Sequence, residues 1–139
     1  MTYATQDDMV KRFGETELAQ RTNRVDGSSI DAVVLTRAIG DAEAEINGYL
    51  AVRYQLPLAE LPSVLVRVAC DIARYHLYDD GVPETVRTRY QDSVSLLKRM
   101  SSGEVQLAGG SPIPVASGGR TVASRSPARV FSNDVLSKF

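Results

Sequence analysis

The sequence predicts a mainly α-helical bundle of about four helices, with a short β segment and an extended C-terminal arm. Three observations carry that reading. Apolar residues recur three and four positions apart through several stretches of the first hundred residues. Thr, Ser, Pro and Gly punctuate those stretches where helices begin and end. The composition then changes at residue 109: the last 31 residues hold 4 Gly, 3 Pro and 6 Ser, too little apolar matter to fold alone. A helical domain over 1–108 and an arm over 109–139 follow. At 139 residues there is room for one core.

Each element has its own local reason. Thr5, with Asp8 three residues on, opens a first helix, since the hydroxyl caps free N–H groups and acids favour the positive end of the dipole. Met9, Val10 and Phe13 give it an apolar side, and Gly14 ends it. Glu15–Thr22 adds a turn or two around Leu18. Ser28 or Ser29 is expected to cap the longest helix, from about 30 to 52, striped by Leu35, Ile39, Ala42, Ile46 and Leu50. The run from Gln55 to Pro62 holds two prolines and reads as a stiff connector.

Pro62 suits the start of a third helix, in which Leu65, Val68, Ala69, Ile72, Ala73 and Leu77 mark the buried face. Val64, Val66, Cys70 and Tyr75 widen that face, so this helix is expected at the centre, ending near Asp79, Asp80 and Gly81. Pro83 starts a fourth, with Val86, Tyr90, Val94, Leu97 and Met100 on one side and Gly103 as its stop. Val105, Gln106 and Leu107 are long enough for a short strand only.

Hydrophobic residues make up 43% and charged residues 24%, which excludes a wholly disordered chain. The net charge of -1 argues against a general nucleic-acid binder. Its distribution is uneven: residues 109–139 carry four basic groups against one acid, and residues 1–108 carry twelve against sixteen. One cysteine, Cys70, excludes an internal disulfide or a thiolate metal cluster. The N-terminus lacks the pattern of a secretory leader, and no apolar run approaches the ~20 residues of a membrane span.

A search for chemistry finds little. His76 is the single histidine and falls on the third helix, where Cys70, six residues earlier, faces away from it. Neither acquires a catalytic partner, and both read as packed helix residues. Asp41, Glu43 and Glu45, and the pair Asp79–Asp80, read as solvated helix surface rather than a divalent-cation site. Gly109–Gly110 and Gly118–Gly119 lack the context of a phosphate loop. Tyr49, Tyr54, Tyr75, Tyr78 and Tyr90, with Arg53, Arg74 and Arg89, fit packing better than a base-stacking platform. No enzyme, cofactor or metal is expected. The arm ends on Val130, Phe131, Val135, Leu136 and Phe139, which with Arg125 and Arg129 form the expected protein interface. Each large apolar residue buried there contributes about 1.5 to 3 kcal/mol before ordering costs.

Three stretches together carry a resemblance. They are Tyr3-Ala4-Thr5 with Asp8-Met9 and Phe13-Gly14, then Ile46-Asn47-Gly48-Tyr49-Leu50 through Arg53-Tyr54 to Leu56-Pro57-Leu58, then Asp71-Ile72-Ala73-Arg74-Tyr75. Over about residues 3 to 107 the chain resembles the small Mu-like prophage proteins encoded among head genes. These in turn look like the head-completion, or head-to-tail adaptor, proteins of long-tailed phages. The resemblance implies a structural virion protein of the neck, made in the host cytoplasm. It further implies a homo-oligomeric ring, of twelve copies in such adaptors, between the portal protein and a tail terminator or other neck protein, with genomic DNA passing through. The alternative is a DNA-binding or packaging-associated phage protein that uses its basic arm.

Overall fold

Five helices in chain order build the protein, as seen in a computed structural model that describes residues 2–79 and 81–113. They are α1 (Gln6–Phe13), α2 (Glu15–Thr22), α3 (Ala32–Leu50), α4 (Ser63–Leu77) and α5 (Glu84–Ser102). The architecture is mainly α, as expected. The stretch around Leu18 is a full helix of 8 residues, which brings the bundle to five.

Local chemistry sets most of the boundaries. Thr5 and Asp8 form a reciprocal capping box: the Thr5 hydroxyl accepts from the Asp8 N–H at 3.2 Å, and Asp8 Oδ2 accepts from the Thr5 N–H at 2.9 Å. The start of α3 corrects the expectation of a serine cap. Asp31 caps it instead, its Oδ1 accepting from Val33 N at 3.0 Å, and the helix runs 19 residues, about 28 Å. Ser28 turns to Asp26 at 2.7 Å within the preceding loop. Pro62 and Pro83 stand just before α4 and α5, where a missing N–H costs nothing. Gly103 closes α5 in the left-handed region at φ 86.

The core lies along α4. Leu65, Val68, Ala69, Ile72, Ala73 and Leu77 are buried, as are Leu35, Ala38, Ile39, Ala42, Ile46 and Leu50 of α3, and Val86, Leu97 and Met100 of α5. Tyr90, expected in the core, is half-buried, its hydroxyl donating to the half-buried Glu45 carboxylate. Ser93 of α5 also turns fully inward, its hydroxyl buried with no hydrogen-bond partner among the described residues. Met9 and Leu18 bring α1 and α2 onto the same core.

The expected strand at 105–107 is absent. Leu107 is buried and starts a turn, with the Gly110 N–H donating to its carbonyl at 3.1 Å. The chain then returns to pair with the segment after α3. Gln55 N donates to Ser111 O and Ile113 N to Arg53 O, both at 2.9 Å, around a single bridge between Tyr54 and Pro112. The β character therefore lies at 53–55 with 111–113, an isolated antiparallel bridge, because the apolar side chains at 105 and 107 are used in the core. Leu56–Pro57 is a cis peptide bond.

Candidate functional site

The half-buried polar groups of the body mostly serve as ties between helices. Arg74 of α4 donates to Glu17 of α2 through Nε at 2.7 Å and a terminal nitrogen at 2.9 Å, a bidentate pair with both side chains largely covered. The Tyr78 hydroxyl donates to the same carboxylate at 3.2 Å, and the Arg74 guanidinium lies over the Phe13 ring at 4.4 Å. Burial first, then the Glu17 charge, pushes the Tyr78 phenol above its usual range. Arg24, in the loop after α2, donates to the Leu77 carbonyl at 3.2 Å and pairs with Asp79 at 3.0 Å. That caps the C-terminus of α4 from outside, with a cation at the negative end of the dipole.

A second cluster joins α3, α4 and α5. The Tyr90 hydroxyl donates to Glu45 Oε2 at 2.9 Å, and His76 Nε2 lies 3.3 Å from Glu45 Oε1. Tyr75 stacks on Tyr90 with ring centroids 3.9 Å apart. Burial, then the hydrogen bond to Glu45, pushes the Tyr90 phenol up to about 12. The expectation of a solvated carboxylate row on α3 is therefore corrected at Glu45, which α4 and α5 cover, while Asp41 stays exposed. Cys70 is buried and desolvation pushes its thiol up to about 11, so little thiolate forms near neutral pH. Apart from the stacked Tyr75 and Tyr90, the tyrosines make separate contacts: Tyr54 is buried and its oxygen accepts from Leu107 N at 3.0 Å, and Arg21 lies 4.8 Å over Tyr78.

A further feature is a cleft of about 390 Å³ lined by Arg12 and Phe13 of α1, Arg67 and Asp71 of α4 and Arg89 of α5. Asp71 is 5% exposed, and its nearest cation is Arg67 at 3.6 Å, one helical turn away. Burial raises its carboxyl above the usual range, opposed by Arg89, Arg67, Arg12 and Arg74 in that order. The spacing of Arg67 and Asp71 was readable in the sequence. The convergence of Arg12 and Arg89 on them was not, because it depends on how α1 and α5 flank α4.

The expected interface residues Arg125, Arg129, Val130, Phe131, Val135, Leu136 and Phe139 lie outside the described residues, as does Asp80. Among the described residues no group of three metal-ligating side chains converges, and no helix is long and apolar enough to cross a membrane.

Comparison with known proteins adds the lineage. Residues 3–125 match the family described as Bacteriophage Mu, Gp36. The chain belongs to the Mu Gp36 family. It is 38% identical over 106 residues to Gene product J of Escherichia phage Mu, covering 75% of this chain and 74% of that protein. It is also 34% identical over 105 residues to the Mu-like prophage FluMu protein gp36 of Haemophilus influenzae, covering 76% and 74%. This Gp36-family chain is thus a Mu-like phage protein. The stretches that carried the resemblance fall on its ties: Tyr3 donates to Asn47, Tyr54 receives Leu107, and Arg74 holds Glu17. The family match continues to residue 125, beyond the described body.

Proposed function

We propose that this Gp36-family chain is a non-catalytic structural subunit, a head-to-tail adaptor that forms a ring between the portal and the tail. The observation that carries the reading is how its polar groups are used. Glu17, Glu45, Asn47, Arg24 and Arg74 each end in a contact between elements. Cys70 is sealed in the core with a raised pKa. Such a body is built to hold its shape. Its chemistry then lies in what it touches.

A ring suits that design. An open head-to-tail interface closes when the rotation per subunit divides a full turn, and a portal supplies the template. Modest contacts at each joint multiply around the ring. The arm beyond residue 113, with Arg125, Arg129 and its terminal apolar residues, is the proposed docking element toward a neighbour. The test is genetic complementation read by electron microscopy. A phage lacking the gene, supplied with a chain cut after residue 113, should give filled heads and separate tails. Complete infectious particles from the cut chain would refute the role of the arm, and complete particles with no chain at all would refute the adaptor.

A further inference from the structure

Arg12 and Arg89, in the cleft between α1, α4 and α5, take no part in the hydrogen-bonded ties that hold the body together. Arg74 and Arg24 are committed to Glu17 and Asp79, whereas Arg12 and Arg89 have no hydrogen bond or ion pair among the described residues. Arg67 is committed only in part, to Asp71 at 3.6 Å. Three guanidinium groups therefore share one buried carboxylate, and the lining keeps a local charge of +2 on a body whose first 108 residues carry four more acids than bases. Asp71 is only 5% exposed yet lines the same cleft, so the lining joins a buried carboxylate to cationic side chains, with Phe13 beside them.

We propose that this cleft is a docking site for an acidic peptide segment of a partner protein, whose carboxylate side chains are received by Arg12 and Arg89. Charge complementarity argues for the occupant. Arg12 and Arg89, without a hydrogen bond or ion pair among the described residues, can each take a carboxylate in bidentate fashion. Arg67 makes the one close contact with Asp71 among the described residues, and the exposed ends of Arg12 and Arg89 are left to the ligand. A single acidic side chain senses the field within a Debye length of about 8 to 10 Å, where the cleft is positive. A DNA duplex, with a phosphate charge every ~1.7 Å, meets the acidic body as a whole and is repelled. The buried Asp71 carboxylate also disfavours a close dianionic phosphate more than a monoanionic carboxylate. The inference goes beyond the adaptor reading and does not depend on it, since it concerns the isolated chain.

The experiment titrates the full chain into a fluorescently labelled Glu-rich peptide of about ten residues and, separately, a labelled duplex of about 20 base pairs, both read by anisotropy. Saturable peptide binding at low salt is expected. It should weaken about tenfold or more in Arg12→Ala/Arg89→Ala, as loss of charge-assisted hydrogen bonds requires. Arg37→Ala, on α3 and outside this cleft, should leave binding unchanged. Both arginines are exposed and also oppose the burial of the Asp71 carboxylate, so the double variant should fold but melt somewhat below the wild type, and Arg12→Lys/Arg89→Lys should recover both melting temperature and part of the affinity. No peptide binding by the wild type overturns the proposal. So does equal binding by the double variant, an equal loss in Arg37→Ala, or duplex binding that exceeds peptide binding and needs the same two arginines.

Discussion

Asp71 shows how much one residue depends on its surroundings. In sequence it is an ordinary acid one turn from Arg67; in the fold it is 5% exposed, and burial outweighs four arginines to raise its pKa. The sign of the linkage follows. A carboxyl whose native pKa lies above its unfolded value stabilises the fold while protonated, and that contribution is lost as pH rises through the native pKa. At pH 7 Asp71→Asn is therefore expected to be at least as stable as the wild type. As pH falls from 7 toward the usual carboxylate range, the wild type should gain melting temperature relative to the variant. Melting curves across that range check it, and a wild-type advantage that grows with rising pH would contradict the account.

At the scale of elements, the short helices α1 and α2 are the informative pieces. Eight residues form a marginal helix alone, so α2 persists because it is pinned at both ends. Glu17 receives Arg74, and the Thr22 hydroxyl donates to Leu18 O at 2.7 Å while accepting from Asp31 N at 2.9 Å. The expected cost of Arg74→Ala is about 1.5 to 3 kcal/mol for the charged hydrogen bonds, plus about 0.5 to 1 kcal/mol for the contact over Phe13. Urea unfolding measures it. A double-mutant cycle with Glu17→Gln should show a coupling of the same sign, and additive effects would mean that the pair does not tie the helices.

For the molecule as a whole, the body reaches past the helices to the pairing of 111–113 with 53–55. A chain cut after residue 113 keeps the Gln55–Ser111 and Ile113–Arg53 hydrogen bonds and the close approach of Gly110 to the Tyr54 ring. A chain cut after residue 108 loses all three. The second should be less stable by about 1 to 2 kcal/mol, while the first matches the full-length chain. Thermal unfolding of the two truncations decides it. Equal stability would show that the bridge adds nothing to the fold.

What the sequence by itself determined was whatever local periodicity and end chemistry carry. The stripes of α3 and α4, the Thr5–Asp8 box, the stops at Gly14 and Gly103 and the proline-led starts were all legible, because each depends on residues within one or two turns. The family, too, was legible in patterned stretches. Asp31 as the cap of α3 was missed because Ser28, Ser29 and Asp31 are all competent caps, and Asp31 N is fixed by Thr22 of another helix. The strand expected at 105–107 was missed because its apolar residues serve the core. Only the tertiary structure decided which charges pair. Glu17 with Arg74 is separated by 57 residues and Tyr90 with Glu45 by 45, and no local rule spans such distances. The arginine cleft belongs to the same class: its cations come from three helices, and their meeting is set by how α1 and α5 pack on α4.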